Sequence, residues 1–425
     1  MHKSKTLVEA DVKRIEDQCK LAYEHKEIFQ NLKSSQKNDL LRAIATAILN
    51  ESTTIINSNK EDIEQGKKNG LSSALLDRLS LTQDRIQGIA DSILEICEIA
   101  DPIGEKIESW TRPNGLEITK VRVPLGVIGI IYEARPNVTV DAIGIAIKSG
   151  NAIVLRGSAS AYKTNLQLVS IIKTVVSAAG LNSNAIQLLE DTTRESVQIF
   201  VKMNEYLNLI IPRGGAGLIN SVINTATVPC IETGVGNCHI YIDQHANLDQ
   251  AIDIVDNAKT QRPSVCNACE TILIHEAISS PFLTKLEKRF QSKQVMIKGC
   301  EKTCTIINSA IPATEDDWDT EYLDLTLAVK IVSTTQDACM HIKKHGTLHT
   351  EAILSENNHE LEYFINHVDA STIITNASTR FTDGGEFGFG AEMGISTQKL
   401  HARGPMGLKE LTSYKYIITG SGQVR

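Results

Sequence analysis

From residue 126 onward, short apolar segments alternate with segments of helical length, and this alternation constrains the fold more than any other feature of the sequence. Such a pattern is typical of a parallel sheet that is covered by helices on both faces. It predicts strands at 127–131, 152–155, 185–189, 207–211 and 228–231, and helices at 138–148, 161–179, 195–202 and 216–225. We therefore expect a Rossmann-type, nucleotide-binding α/β domain here, although the pattern alone does not identify the ligand.

A second α/β section is predicted after residue 232. Its predicted strands are 271–275, 304–307, 327–332 and 351–354, and its predicted helices are 280–291, 336–344 and 358–365. Upstream of both sections, residues 5–100 are predicted to be helical almost throughout. The clearest of these helices is 80–100, where Ser80 and Gln83 resemble a capping box.

Two further segments predict β-structure outside these sections. An Asn114-Gly115 turn between alternating residues is typical of a β-hairpin. The tail 411–419 also alternates in polarity, which predicts a strand. We expect that strand to pair with the hairpin or with another subunit, because an unpaired edge is otherwise left at the chain end.

Charge and cysteine content exclude several classes of function. A net charge of −8 and a pI of about 5.8 argue against a nucleic-acid or anionic-membrane partner. The longest apolar run, 127–132, is too short to cross a bilayer. Nine cysteines, an odd number without a secretion signal, indicate reduced thiols. We therefore expect a cytoplasmic protein that acts on small molecules.

Cys266 is the candidate nucleophile because it lies on a turn just before a predicted strand. Pro263 disfavours helix at Arg262, so we expect the thiol on a loop, where a thiolate can attack an acyl carbon. The alternative is that Cys266 is a buried packing residue, which is the commoner role of a free cysteine. Cys269 is interpreted as such a packing residue.

The cysteines also raise the alternative of a zinc or redox site. Cys266 and Cys269 form a C-x-x-C pair, and Cys300 and Cys304 form a looser one. The second spacing does not suit a zinc ribbon, and the first pair lacks a thioredoxin-like context. This alternative is therefore disfavoured.

Three histidines invite a metal interpretation as well. His341 and His345 lie four residues apart on a predicted helix, but no glutamate lies between them as in H-E-x-x-H. Gly346 is expected to end the helix before His349. We therefore expect no metal and interpret these histidines as surface or substrate-pocket residues.

Two segments of the first α/β section suit a dinucleotide. Arg156-Gly157-Ser158 follows the second predicted strand, and no acidic residue occurs between Asp141 and Glu190. An acid here usually binds the ribose of NAD, whereas an arginine suits the 2′-phosphate of NADPH. Equally supported is an Arg156 that is merely exposed at the strand end. Gly214 and Gly215 precede a predicted helix, where backbone amides can approach phosphate.

Four motifs resemble those of the γ-glutamyl phosphate reductases, a branch of the aldehyde dehydrogenase superfamily. They are Tyr132-Glu-Ala-Arg-Pro-Asn-Val-Thr139, Gln261-Arg-Pro-Ser-Val-Cys266, Ala338-Cys-Met-His-Ile-Lys-Lys-His-Gly-Thr-Leu-His-Thr-Glu-Ala-Ile353 and His401-Ala-Arg-Gly-Pro-Met-Gly-Leu408. Within the third, Cys339 stands where an aliphatic residue is usual. The resemblance covers nearly the whole chain and implies an aldehyde-dehydrogenase-like α/β fold.

The resemblance also implies roles for single residues. Cys266 would be the acylated thiol, and Asn137 would donate to the oxyanion together with the Cys266 backbone amide. Glu232 stands where aldehyde dehydrogenases carry a water-activating glutamate, but Thr-Gly-Val follows it in place of Leu-Gly-Gly, which argues against hydrolysis. Glu321 would hold the nicotinamide ribose, although the usual Phe-Gly-Pro after it is absent. The predicted cofactor-binding set is Arg156, Ser158, Gly214, Gly215, Glu232 and Glu321.

The implied reaction is the NADPH-dependent reduction of L-glutamyl 5-phosphate to L-glutamate 5-semialdehyde in proline biosynthesis, with a thioester on Cys266 and release of phosphate. Candidates for binding the phosphate and the α-carboxylate are Arg135, Arg213, Arg262 and Arg403. A homo-oligomer and functional coupling to a glutamate 5-kinase are also expected. The alternatives are a hydrolytic aldehyde dehydrogenase acting on a small semialdehyde, a cysteine acyltransferase without nicotinamide, and a redox or zinc-binding module.

Three parts of the chain are predicted on this basis. Residues 1–107 and 126–232 would form the NADP-binding domain with the N-terminal helices. Residues 108–125 and 409–425 would form a small β flap for oligomerisation. Residues 233–408 would form the catalytic domain that carries the nucleophilic cysteine.

Overall fold

The computed structural model describes residues 9–425 and divides into two compact units. The first unit runs to Glu232 and also contains Gly388–Gly394 and Met406–Arg425. The second unit contains Thr233–Phe387 and Ile395–Pro405. The helix predicted for residues 5–8 lies outside the described residues.

The α-helices and strands are numbered here in chain order. Up to Glu232 they are α1 (Glu9–Glu24), α2 (Ser34–Asn50), α3 (Ser52–Lys68), α4 (Ser73–Leu79), α5 (Gln83–Glu98), β1 (Lys106–Thr111), β2 (Glu117–Pro124), β3 (Val127–Tyr132), α6 (Pro136–Lys148), β4 (Ala152–Arg156), α7 (Tyr162–Ala178), β5 (Ile186–Leu188), α8 (Arg194–Phe200), β6 (Leu209–Arg213) and α9 (Ala216–Thr225). From Thr233 they are β7 (Cys238–Ile242), α10 (Leu248–Thr260), β8 (Cys269–His275), α11 (Ser279–Gln291), β9 (Met296–Gly299), α12 (Glu301–Ile306), β10 (Ile311–Pro312), β11 (Thr326–Val332), α13 (Thr335–His345), β12 (Thr350–Leu354), α14 (Asn358–His367), β13 (Thr372–Thr375), β14 (Ile395–Ser396), β15 (Gly404–Pro405) and β16 (Thr412–Thr419).

The first unit contains a four-stranded parallel sheet in the order β5-β4-β3-β6. This confirms the predicted Rossmann-type arrangement. The strand order reverses at the β3–β6 pair, where Tyr132 lies opposite Arg213. Open α/β sheets bind ligands outside the carboxyl ends of their strands at such a reversal, so residues that follow β3 and β6 have the position of a ligand site. The strand predicted at 228–231 is wrong, since Cys230 makes only an isolated bridge to Ile210.

A three-stranded antiparallel sheet joins β1 and β2 to the last strand of the chain, in the order β1-β2-β16. Gly115 adopts a positive φ of 84° in the turn between β1 and β2, which a residue with a side chain rarely does. β16 pairs with β2 along its whole length, from Thr412 opposite Pro124 to Thr419 opposite Glu117. The prediction that the tail pairs with the hairpin is confirmed.

The second unit contains a seven-stranded parallel sheet in the order β10-β9-β11-β8-β7-β12-β13. β8 is buried along almost its whole length, as expected for a strand with sheet neighbours on both sides. The strand predicted at 304–307 is wrong: residues 301–306 form α12, where the Cys304 amide donates to Cys300 O at 3.0 Å. Periodicity cannot separate helix from strand in so short a β-branched run.

The α5 helix starts later than predicted. Its buried stripe contains Ile86, Ile89 and Ile93 as expected, but its N-cap is Thr82, whose Oγ1 accepts from the Arg85 amide at 3.2 Å. Ser80 instead ends α4, since its amide donates to Leu76 O at 3.0 Å. No helix within residues 9–425 is long and apolar enough to span a membrane.

Candidate active site

Cys266 lies on the short loop that connects α10 to β8, as predicted. The loop turns at Val265, whose carbonyl accepts from the Ala268 amide at 3.0 Å. Cys266 is partly exposed, whereas Cys269 is fully buried in the core of the sheet. Burial raises the pKa of Cys269. Cys266 is therefore the accessible thiol of the C-x-x-C pair, and Cys269 is a packing residue.

A buried ion pair fixes the two ends of this loop. Lys259 Nζ, near the end of α10, lies 2.5 Å from Glu270 Oε2 on β8, and both side chains are fully buried. Glu270 Oε1 accepts a second bond from the Leu323 amide at 3.1 Å. Burial raises the pKa of Glu270 to about 7, against the opposing charge of Lys259. Because both partners are desolvated, removal of either one leaves a buried charge that is not compensated.

Gly236 packs against the backbone of the nucleophile. A Cβ at this position would lie 1.7 Å from Cys266 O and 2.8 Å from Cys266 Cα, far inside any real contact. The Gly236 amide donates to Glu321 Oε1 at 2.8 Å. Glu321 therefore lies in the second unit beside the Cys266 loop, and burial raises the pKa of its carboxyl group.

The loop lies at the amino ends of the central strands. Cys238 and Cys269 are opposite each other at the starts of β7 and β8, and the Cys238 thiol donates to Cys266 O at 3.2 Å. His349 immediately precedes β12, and its Nδ1 lies 3.6 Å from Cys238 Sγ. In this unit the candidate nucleophile is thus at the amino edge of the sheet, whereas ligands usually bind at the carboxyl edge.

Of the two interpretations of the three histidines, the surface position is wrong, because all of them are buried, and the substrate-pocket position stays a prediction. Lys330 Nζ donates to His341 Nδ1 at 3.2 Å, and His345 Nδ1 donates to Asp319 Oδ1 at 2.7 Å. Burial lowers the pKa of His341 to about 2 and that of His349 to about 4. Within residues 9–425, no group of three His, Cys, Asp or Glu side chains is arranged to hold a metal ion.

The predicted arginines have different environments. Arg262, on the Cys266 loop, is exposed and makes no ion pair with any described residue. Arg403 Nη2 lies 2.6 Å from Asp369 Oδ1, and Lys399 Nζ lies 2.6 Å from the other oxygen of the same carboxylate. Arg135 and Arg213 belong to the first unit, where Arg135 immediately precedes α6 and Arg213 ends β6. Arg262 is thus a cation on the nucleophile loop with which no carboxylate among residues 9–425 forms an ion pair.

Asn137 lies at the start of α6, directly after the Pro136 that begins the helix. Its Nδ2 donates to Asp141 Oδ2 at 3.1 Å, one turn along the helix, and Ser92 Oγ donates to the other oxygen of Asp141 at 3.0 Å. These bonds orient the amide and leave its second N–H for another acceptor.

Arg156 ends β4, but it is not exposed there as one interpretation held. The side chain is 7% exposed, and its Nη2 donates to Thr192 O at 2.8 Å and to Thr193 O at 2.5 Å. Its Nε donates to Ser196 Oγ at 3.4 Å. Within residues 9–425 no hydrogen bond occupies Nη1, which is left for a further acceptor such as a phosphate. The neighbouring Ser158 hydroxyl lies 2.8 Å from Ser160 Oγ.

The glycines before α9 lie where the β3–β6 reversal predicts a ligand. A Cβ on Gly214 would lie 2.7 Å from Leu218 and 2.9 Å from Glu133, whereas Gly215 has no atom within 4 Å of its Cβ position. The Gly215 amide donates to Glu133 Oε2 at 3.2 Å. A phosphate at this helix start would therefore have to replace the Glu133 carboxylate. Glu232 is the last residue of this stretch of the first unit.

Sequence reasoning missed four residues of the nucleophile environment: Gly236, Cys238, Asn267 and Arg380. Arg380 Nε donates to Gln261 Oε1 at 2.8 Å, and its Nη1 donates to Asn267 Oδ1. Asn267 Nδ2 donates in return to Thr382 O at 2.8 Å. The paired glycines of Gly234-Val-Gly236 before a strand were a usable signal of close backbone approach.

Known proteins resemble this chain over nearly all of its length. The model of the aldehyde dehydrogenase family matches residues 2–324. The chain is 55% identical over 404 residues to a gamma-glutamyl phosphate reductase of Moorella thermoacetica, covering 95% of this chain and 97% of the relative. It is 54% identical over 392 residues to that of Clostridium perfringens, covering 92% and 94%. The crystal structure of gamma-glutamyl phosphate reductase from Thermotoga maritima superposes with a TM-score of 0.94 at 45% identity, covering 97% of this chain and 100% of that one.

Proposed function

The chain belongs to the γ-glutamyl phosphate reductases of the aldehyde dehydrogenase family, and on that premise we propose that it reduces L-glutamyl 5-phosphate to L-glutamate 5-semialdehyde with NADPH and releases phosphate. This is the reductive step expected of a family member in proline biosynthesis. One observation carries the proposal: Cys266 is the partly exposed thiol on a fixed loop, while the adjacent thiols of Cys238 and Cys269 are fully buried.

Acylation of Cys266 needs little assistance from the protein. The thiolate attacks the acyl carbon, the new S–C bond forms, and the C–O bond to phosphate breaks as phosphate leaves with the electron pair. Since phosphate is a good leaving group, a strong general acid is not required. The exposed cation of Arg262 lies on the same loop and suits the phosphate or the α-carboxylate. Arg135 and Arg403 are the further candidates for these two anions.

The charge that develops on the acyl oxygen needs fixed donors. The proposed donors are the Asn137 side-chain amide and the Cys266 backbone amide. Asp141 and Ser92 support this role for Asn137, because they set the direction of its remaining N–H before substrate binds. A preoriented donor costs no reorganisation at the moment of reaction.

The residues of the first unit fit a nicotinamide dinucleotide. Two observations support this: the strand order reverses beside Gly214 and Gly215, and the buried Asn165 Nδ2 next to Gly157 has no hydrogen-bond partner among the described residues. Arg156 Nη1 and Ser158 would contact the 2′-phosphate side of NADPH, and Glu321 would contact the nicotinamide ribose. NADPH, when bound, supplies the hydride that reduces the thioester. The resulting oxyanion re-forms a carbonyl, the C–S bond breaks, and the Cys266 thiolate is regenerated.

Phosphate dependence in the reverse direction tests the proposal. With glutamate 5-semialdehyde and NADP, NADPH absorbance should rise steadily only when phosphate is present, and arsenate should replace phosphate because its acyl ester hydrolyses. Without either anion, Cys266 should acylate once and stall after a burst of about one NADPH per site. Sustained turnover to free glutamate in phosphate-free buffer would refute the proposal and favour a hydrolytic aldehyde dehydrogenase that uses Glu232.

A further inference from the structure

Arg380 follows β13 in the sequence, yet its guanidinium connects the two sides of the Cys266 loop. Its Nε donates to Gln261 Oε1 at 2.8 Å, at the start of the loop, and its Nη1 donates to Asn267 Oδ1, directly after the nucleophile. Asn267 is 3% exposed and is held in turn by Thr382 O. The loop is therefore tied at its base by Lys259 and Glu270 and at its exposed side by Arg380.

The partners of Arg380 are neutral, which distinguishes it from other arginines of the unit. A guanidinium nitrogen of Arg289 lies 2.9 Å from a carboxylate oxygen of Asp253, and one of Arg403 lies 2.6 Å from that of Asp369. Arg380 contacts two side-chain amides and has no ion pair with any described residue. Amide oxygens orient a guanidinium without cancelling its charge. The guanidinium is thus held against the side chain of Asn267, the residue after the candidate nucleophile, and Asp383 is the charged group that acts on it most strongly.

We propose that Arg380 is a positioning residue for Cys266, which fixes the loop through Gln261 and Asn267 and favours the thiolate over the thiol. The inference rests on the proposed role of Cys266 as the nucleophile. It adds a residue that does not have to contact the substrate and that acts before any substrate binds.

Electrostatics around the loop agree with this assignment. Burial lowers the pKa of Arg380, Asp383 raises it, Arg262 lowers it, and Cys266 raises it. The interaction between Arg380 and Cys266 is mutual, so the cation that the thiolate stabilises also stabilises the thiolate. The other titratable groups that face the loop are Arg262, Cys238, Lys259, Glu270, Glu321, Asp383 and Glu386.

None of these other groups replaces the positive charge of Arg380, and Asp383 and Glu386 are carboxylates of opposite sign. The Lys259–Glu270 pair balances its own charge, and the Glu321 carboxylate accepts from Gly236. The Cys238 thiol is fully buried, and burial raises its pKa well above the ordinary value. Arg262 is the remaining cation, but it is exposed to solvent, which screens its charge.

The test measures the pH dependence of Cys266 alkylation by iodoacetamide in the full-length protein, with Cys266→Ala as the blank for the other thiols. Iodoacetamide is neutral and requires neither substrate nor cofactor. In Arg380→Gln the apparent pKa of the Cys266 thiol should rise by about one unit. At any pH below the apparent pKa of the unchanged protein, alkylation should then be about tenfold slower. Arg380→Lys keeps the positive charge but loses the two-pronged contact of the guanidinium with Gln261 and Asn267. This variant should therefore keep the pH profile of alkylation, while its kcat falls.

Two further variants make the outcome decisive. Gln261→Glu keeps the contact but neutralises Arg380, and should also raise the thiol pKa. Arg289→Gln removes a surface arginine of the same unit and should change nothing. An unshifted profile in both Arg380→Gln and Gln261→Glu would overturn the proposal even if activity were lost, since a structural role alone explains that loss. A shifted profile without phosphate-dependent turnover would instead refute the proposed function and leave Arg380 in its role.

Discussion

Replacing Gly236 by alanine is expected to inactivate the enzyme while leaving it folded. The added methyl group would lie 1.7 Å from Cys266 O, and real Cβ contacts are essentially never shorter than 3.0 Å. The Cys266 backbone therefore has to retreat by at least about 1.3 Å, the difference between these two distances. The obstacle is backbone rather than the end of a flexible side chain, so no rotamer change relieves it.

The magnitude follows from that displacement. A misplacement of about 1 Å at the reacting centre costs about 100-fold in rate, so kcat should fall at least that far. Overpacking of this kind costs about 1–3 kcal/mol of stability. The ties through Lys259 and Arg380 resist the retreat from either side of the loop, which places the cost nearer the upper end.

The assay compares kcat, Cys266 alkylation and thermal unfolding for Gly236→Ala and for Gly88→Ala. Gly88 lies within α5 and has open space around its Cβ position, so its replacement should leave kcat unchanged and stabilise the helix by about 0.5–1 kcal/mol. Gly236→Ala should lower Tm by a few degrees and abolish most turnover. Full activity in Gly236→Ala would refute the reasoning, because it would mean that the nucleophile does not depend on the contact.

Four other predictions concern the nucleophile, the cofactor, acid stability and the tail. Cys266→Ala should abolish turnover and Cys269→Ala should keep most of it, measured by kcat; equal losses would indicate a C-x-x-C redox or metal site. Arg156→Ala should raise KM for NADPH far more than for NADH, since one charge-assisted contact is worth about 1.5–3 kcal/mol; equal increases would exclude Arg156 as the 2′-phosphate contact. Burial lowers the pKa of His349 in the folded protein to about 4, below its ordinary 6.5. The free energy of unfolding should therefore fall as the pH drops from 6.5 towards 4, by about 3 kcal/mol in all, because the unfolded chain binds the proton first. Urea unfolding of His349→Gln should lack this pH dependence. Deleting residues 411–425 should abolish a defined oligomer, because β2 loses the strand that covers its edge; sedimentation should then show smaller species together with aggregates, and an unchanged mass would contradict an oligomeric role for the tail.

The strands and helices were largely predictable because their causes are local. Apolar runs such as 127–131 and 152–155 became β3 and β4, since continuous burial demands continuous apolarity. The prediction failed at α12 because this segment is too short and too β-branched for periodicity to distinguish a helix from a strand. The predicted start of α5 was wrong because both Ser80 and Thr82 are residue types that can cap a helix. Thr82 is the N-cap because its hydroxyl lies within hydrogen-bond distance of the Arg85 amide.

The candidate site could be predicted only where neighbouring residues in the sequence indicate its chemistry. Cys266 could be named from its own loop. The contacts that surround it join residues far apart in sequence: Cys238 lies 28 residues away and Arg380 lies 113 residues from Asn267. No periodicity links such positions, and the burial of His341 and His349 likewise depends on how α13 and β12 pack in the sheet. These features are consequences of topology, which the local pattern does not encode.

The pairing of β16 with β2 links the last residues of the chain to a segment made some 300 residues earlier, from Thr412 opposite Pro124 onward. During translation β2 keeps one edge unpaired until β16 has been synthesised, and an unpaired edge invites intermolecular contacts. A stop codon just before Thr412 would therefore yield a chain that has the strands of both parallel sheets but a permanently open edge on β2. In the cell that chain would be prone to aggregate through its open strand edge although most of it is folded.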